Sequence, residues 1–214
     1  MAEDLSAYRK SYERGALSED TVDANPMQQF RKWFHEVQDS GGVDEANAMT
    51  ISSISEDGFP KGRVVLLKKY DAYGFYFYTN YDSEKGKGIA KNNKVSLSFF
   101  WPNMERQVII KGFAEKASDT ESENYFHSRP KGSQLGAVVS PQSSVVASRD
   151  VLEENLAKLE AEFENKDVAK PDNWGGYVVK PISIEFWQGR ANRLHDRIRY
   201  TLKDYDWIIE RLAP

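Results

Sequence analysis

Apolar residues recur with two periods along this chain, and the change between them outlines its architecture. Phe30, Trp33, Phe34 and Val37 follow at spacings of three, one and three, the stripe of an amphipathic helix. Asn25-Pro26 supplies a start signal and Gly41-Gly42 a stop. From Ala48 the alternation becomes that of strands. Ala48–Ser55 and Gly62–Lys69 flank a turn at Glu56-Asp57-Gly58-Phe59-Pro60, and Asp71-Ala72-Tyr73-Gly74 leads into Phe75–Thr79. After a short helical stretch, Ser83–Asn92, come strands at Lys94–Trp101 and Arg106–Lys116.

Residues 118–165 read as helices. The clearest places Leu152, Leu156, Leu159 and Phe163 on one stripe, opened by Asp150 with Glu153 in a capping box. Asn165–Asn173 is a polar loop, and strands return at Gly176–Lys180, Ile182–Gln188, Arg193–Tyr200 and Trp207–Arg211. Successive antiparallel strands tend to close into a barrel, which removes exposed edges. The expected fold is mainly β with peripheral helices (α+β). Residues 1–25 are polar and read as a mobile arm, and residues 26–214 as a single domain.

Composition narrows the function. With 29 basic and 33 acidic residues the net charge is −4, which opposes nucleic-acid binding. No cysteine is present, so thiolate nucleophiles and cysteine-bound metals are excluded. The three histidines, His35, His127 and His195, lack ligand partners at metal-binding spacing, so no metal site is expected. No apolar run approaches the roughly 20 residues that span a bilayer, and the first residues do not read as a secretory signal. A soluble, cytoplasmic protein without a membrane partner is expected.

Against this acidic background one segment is cationic. If Arg193–Tyr200 is a strand, then Arg193, His195, Arg197 and Arg199 share a face at intervals of about 7 Å. Such a row repels itself unless an anion lies against it, and guanidinium forks suit phosphate. Other clusters are weaker alone. Arg63 and Lys68 bracket an apolar run and could simply end a strand in solvent. Tyr78-Thr79-Asn80 leads into Ser83-Glu84-Lys85, a strand-to-helix turn that can hold a phosphate or be plain solvated surface. Gln107 borders an apolar strand. Residues 125–133 crowd hydroxyls, an imidazole and cations around a helix boundary, and Ser140-Pro141-Gln142-Ser143-Ser144 is a polar loop.

Taken in order, these segments resemble the pyridoxine/pyridoxamine 5′-phosphate oxidase family over nearly the full chain. The resemblance rests on Arg63-Val64-Val65-Leu66-Leu67-Lys68, Phe77-Tyr78-Thr79-Asn80, Glu105-Arg106-Gln107-Val108, Tyr125-Phe126-His127-Ser128-Arg129-Pro130, Gln142-Ser143-Ser144, Glu185-Phe186-Trp187-Gln188-Gly189, Arg193-Leu194-His195-Asp196-Arg197 and the ending Arg211-Leu212-Ala213-Pro214. It implies a split β-barrel homodimer with FMN at the subunit interface. The implied reaction oxidises pyridoxine 5′-phosphate and pyridoxamine 5′-phosphate with O2 to pyridoxal 5′-phosphate, releasing H2O2.

By the same resemblance, Arg63, Val64, Val65, Leu66, Leu67, Lys68, Tyr78, Thr79, Lys85, Gln107, Gln142, Ser143, Trp187 and Arg197 would contact FMN. Lys68, Tyr125, Arg129 and Ser133 would hold the substrate phosphate, Arg193, Leu194 and His195 would lie at the pyridine ring, and Arg9 and Tyr12 would close over it as a lid. Arg193 and His195 are the implied catalytic pair. One departure stands out: Glu84 occupies a position where the family usually carries Arg. A carboxylate there would repel the FMN phosphate unless it turns away. It is the main motive for a rival reading, a non-catalytic flavin or pyridoxal-phosphate carrier on the same fold.

Overall fold

The computed structural model describes residues 3–214; the first two residues of the N-terminal arm lie outside the described residues. The chain forms two compact units. One comprises the described residues up to Met49 with Leu97–Lys111 and Pro181–Pro214, and the other Thr50–Ser96 with Gly112–Lys180.

In the first unit, helix α1 spans Pro26–Ser40. The Asn25 side chain accepts the Met27 N–H at 2.8 Å, Pro26 fits the first turn, and Gly41 ends the helix at φ 65°. Its buried stripe is Phe30, Trp33 and Val37. Phe30 meets Phe99 edge-on at 5.2 Å, and Trp33 meets Phe186 likewise at 5.2 Å. Each fully buried ring of this kind contributes about 1.5–3 kcal/mol of transfer free energy.

Among the described residues the strands are β1 Ala48–Ile54, β2 Pro60–Leu66, β3 Lys69–Asp71, β4 Gly74–Asn80, β5 Lys94–Trp101, β6 Arg106–Lys116, β7 Trp174–Gln188, β8 Asp196–Lys203 and β9 Asp206–Arg211. They are hydrogen-bonded in the order β2-β1-β5-β6-β7-β4-β3, with β8 on β7 and β9 on β8. In the second unit Phe75–Asn80 pairs antiparallel with residues 174–179, and in the first Ser183–Gln188 pairs with Asp196–Thr201. Helix α2 covers Glu84–Lys91, α3 Asp119–Ser128, α4 Lys131–Val139 and α5 Arg149–Glu162.

The strands expected at Gly176–Lys180 and Ile182–Gln188 are the single strand β7. Three further expectations change. The strand expected at Gly62–Lys69 begins at Pro60 and stops at Leu66; beyond it the Lys68 N–H donates to the Tyr76 carbonyl at 2.9 Å and Lys69 already belongs to β3. Helix α5 has no capping box: Ser148 is its N-cap without a side-chain bond, and Glu153 pairs instead with Arg149 one turn back. Its stripe is real, with Leu156, Leu159 and Phe163 covering the buried cluster Phe126, Leu135, Val168 and Trp174.

The third correction concerns the cationic row. Arg193 and His195 are not on a strand. Ala191–Arg193 forms a short 3-10 turn, in which Asn192 and Arg193 have φ 56° and 61°. The His195 ring accepts the Arg190 N–H at 3.1 Å, closing a loop that an extended chain could not make. Strand β8 starts only at Asp196, so Arg197 and Arg199 alone keep the expected spacing.

Candidate active site

The second unit contains an open cavity of about 820 Å³. Strand β2 and the segment after it present Arg63, Val64, Val65, Leu66 and Lys68 to it; β4 presents Tyr78 and Thr79, and α2 presents Lys85. Helix α3 and the start of α4 add Tyr125, Arg129 and Ser133, and the loop after α4 adds Gln142 and Ser143. Arg63, Lys68, Lys85 and Arg129 bring four cations to its wall, while no Asp or Glu stands among its described lining residues. In a chain of net charge −4 that segregation defines an anion site.

Each wall has a local cause. Ser83 caps α2 by accepting the Gly86 N–H, and this sets Lys85 in the first turn. The Lys85 ammonium donates to Thr79 Oγ1 at 2.8 Å and to Gln142 Oε1 at 3.2 Å, and Thr79 itself donates to Gln142 at 3.1 Å. Burial, with Arg63 nearby, pulls the Lys85 pKa below its ordinary value, and Glu84 offsets only part of this. Glu84 faces away, bonded to Lys61 at 2.6 Å and paired with Arg63 at 3.6 Å. The repulsion that its position suggested is therefore relieved by two cations.

On the opposite wall Tyr78 and Tyr125 stack at 3.8 Å, and Trp174 lies parallel to both. Burial drives the Tyr78 phenol up to about 12 and raises that of Tyr125, so both remain neutral O–H donors at physiological pH. The Arg129 guanidinium lies 4.7 Å over the Trp174 ring, and burial lowers its pKa. Its Nη1 is buried without a hydrogen-bond partner. An orphaned guanidinium nitrogen at an anion cavity is the kind of donor that a phosphate oxygen satisfies.

Of the residues expected at the site, this cavity gathers Arg63, Val64, Val65, Leu66, Lys68, Tyr78, Thr79, Lys85, Gln142, Ser143, Tyr125, Arg129 and Ser133. Leu67 is buried and does not line it. The remaining expected residues belong to the first unit. Gln107 donates to Ser98 at 3.3 Å, and Arg197 is held by Glu185 at 2.7 Å and the Ala213 carbonyl at 2.9 Å. Trp187 and His195 are ring neighbours at 4.7 Å, and Tyr12 sits edge-on at 5.7 Å to each. Arg193 and Leu194 are exposed, and Arg9 bonds only locally, to the Ser6 carbonyl at 3.0 Å. Sequence reasoning assigned no site role to Asn80, Pro130, Gly136, Ala137, Ser140 or Trp174 of the cavity wall; Trp174 carried a signal, as an aromatic residue opening a strand.

A cavity whose described lining is rich in cations and free of carboxylates, walled by stacked aromatic rings in a mainly β protein, defines a binder of phosphorylated planar molecules. Residues 36–162 match the family model for pyridoxamine 5′-phosphate oxidase, and residues 174–214 that for the pyridoxine 5′-phosphate oxidase C-terminal dimerisation region. The chain belongs to the pyridoxamine 5′-phosphate oxidase family, flavin-dependent oxidoreductases built on the split β-barrel.

The chain is 63% identical to the pyridoxine/pyridoxamine 5′-phosphate oxidase of Flavobacterium johnsoniae, over 98% of this chain and 99% of that one. It is 48% identical to that of Trichormus variabilis, with full coverage of both. Among solved structures, PhzG from Burkholderia lata, in complex with tetrahydrophenazine-1-carboxylic acid, superposes with a TM-score of 0.87 at 25% identity, over 96% of this chain and all of that one. A pyridoxamine 5′-phosphate oxidase-related, FMN-binding protein from Nostoc punctiforme shares the fold at TM-score 0.69 and 14% identity, over 90% of this chain and all of that one. No helix among the described residues is long and apolar enough to cross a membrane.

Proposed function

We propose that this protein is an FMN-dependent oxidase that converts pyridoxine 5′-phosphate and pyridoxamine 5′-phosphate to pyridoxal 5′-phosphate. The observation that carries this reading is the cavity wall of four cations without a carboxylate, enough charge for the cofactor's phosphate and the substrate's. When bound, FMN would supply the two-electron redox chemistry, accepting a hydride equivalent from the substrate's C4′ carbon and being reoxidised by O2 to give H2O2, with water hydrolysing the imine of the amine substrate and releasing ammonia.

The residues of the chain divide the work. Arg63, Lys85, Thr79, Gln142 and Ser143 hold the FMN phosphate and its neighbouring oxygens, with Val64, Val65, Leu66, Lys68, Tyr78, Gln107, Trp187 and Arg197 completing the flavin's surroundings; buried Leu67 supports that wall from behind. Lys68, Tyr125, Arg129 and Ser133 hold the substrate phosphate; the neutral phenol and the orphaned Arg129 nitrogen both donate. Arg193 stabilises charge that develops on the pyridine, as an always-charged fork can. His195 already accepts the Arg190 N–H through Nδ1, which fixes the ring and leaves Nε2 for the substrate. Its role is to orient the substrate ring. Leu194, Arg9 and Tyr12 cover the substrate. The working form is a cytoplasmic homodimer with its flavins at the subunit interface.

The test is a yellow purified protein with a flavin absorption band that releases peroxide when given pyridoxine 5′-phosphate and O2. Protein that stays colourless with added FMN defeats the assignment. Protein that binds FMN without turnover is a carrier. The inward-pointing charge that motivated that reading is absent, since Glu84 is occupied by Lys61 and Arg63.

A further inference from the structure

Glu105 is a buried carboxylate without a part in the chemistry above. It is 2% exposed and sits at φ 55°, a left-handed conformation that side chains other than glycine and asparagine seldom adopt. Its Oε2 accepts two consecutive backbone N–H groups of the N-terminal arm, Glu13 at 2.8 Å and Arg14 at 3.0 Å, and its Oε1 pairs with Lys10 at 3.2 Å. Its backbone carbonyl accepts from Gly189 N–H at 2.7 Å and from the Gln188 side chain at 3.2 Å. One residue thus ties the arm to the segment that carries Trp187.

The arm runs closely over that segment. A Cβ on Gly189 would fall 2.8–2.9 Å from Tyr12 Cγ and Cβ, and one on Gly15 would fall 3.0 Å from Gln188 Oε1. Between these two crossings, Tyr12 meets the rings of Trp187 and His195. Among its described residues the arm contains no helix or strand up to residue 25, so its backbone depends on outside acceptors for its N–H groups.

We propose that Glu105 is a positioning residue for the substrate: it clamps residues 10–14 so that Tyr12 stands against Trp187 and His195. This rests on the oxidase reading for the identity of the substrate, but the clamp itself does not. Glu105→Gly removes the carboxylate while suiting the turn's positive φ, so the turn survives. Glu105→Gln keeps an oxygen where Oε2 accepts the two N–H groups.

Kinetics on pyridoxine 5′-phosphate and hydrogen exchange at the Glu13 and Arg14 amides, both on the full-length FMN-loaded protein, test it. Glu105→Gly should raise KM roughly tenfold with kcat nearly unchanged, as expected when two charge-assisted hydrogen bonds are lost from a binding element. It should speed exchange at both amides, and Glu105→Gln should restore both readouts. In a Tyr12→Ala background the same substitution should leave KM where Tyr12→Ala puts it. Unaltered exchange, an equal KM effect with and without Tyr12, or a Glu105→Gln variant as impaired as Glu105→Gly each overturns the proposal. Wild-type protein without turnover would refute the oxidase reading, while the exchange measurement still decides the clamp.

Discussion

Lys85 stands largely out of water beside Arg63, and both facts disfavour its charged form. An ammonium in that state gains when a phosphate replaces the water it has lost. Lys85→Ala should weaken FMN binding by about 1.5–3 kcal/mol, the scale of one charge-assisted hydrogen bond, as read by quenching of flavin fluorescence. The sign of the pH dependence follows from the lowered pKa. Lys85 is fully charged well below it and loses its proton as pH rises through it, so FMN affinity should decline in the alkaline range before an ordinary lysine would titrate. Lys85→Arg should remove that decline, and an unchanged alkaline limb would place the titration elsewhere. At this scale the sequence named most of the residues that line the cavity and was silent about how they are held. Arg63, Lys85 and Arg129 were legible through motif resemblance. The orientation of Glu84 was not, because it depends on Lys61 and Arg63, which only the fold brings to it.

The elements were legible where periodicity is strong and misread where a turn interrupts it. Helix α1 and strands β5 and β6 lie where their apolar spacing puts them. The segment Arg193–Tyr200 alternates well enough to pass for one strand, yet its first residues form a turn at positive φ, which alternation does not report. That turn separates Arg193 and His195 from Arg197, which is fixed on β8 by Glu185. Asn192, at φ 56°, is the residue that tolerates this geometry. Asn192→Gly should be nearly neutral, whereas Asn192→Val should cost about 1–2 kcal/mol of stability and lower kcat/KM with it, measured by thermal unfolding and steady-state kinetics. Equal behaviour of the two variants would show that the turn is not under backbone control. Arg193→Lys makes the complementary test, because Arg193 is exposed and packs against little. It should leave the unfolding midpoint unmoved and reduce kcat/KM roughly ten- to hundredfold by losing the planar fork.

For the whole molecule, charge is the link between composition and ligand. The chain is acidic overall, yet the charged residues in the described lining of the cavity are all cations. Like charges gathered on one wall oppose folding, and a bound dianion reverses the sign of that contribution, so cofactor and stability are coupled. A ligand that binds only the folded state adds RT ln(1 + [L]/Kd), about 2.7 kcal/mol at a free concentration one hundred times Kd. For a chain of this length each kcal/mol moves the unfolding midpoint by roughly 2–4 °C. Protein stripped of flavin should therefore melt about 5–11 °C below protein in that excess of FMN. Riboflavin, which lacks the phosphate, should recover only part of the difference, since it brings no anion to Arg63 and Lys85. If riboflavin restores the midpoint as fully as FMN, the cations are not what holds the cofactor, and the assignment of that wall to its phosphate fails.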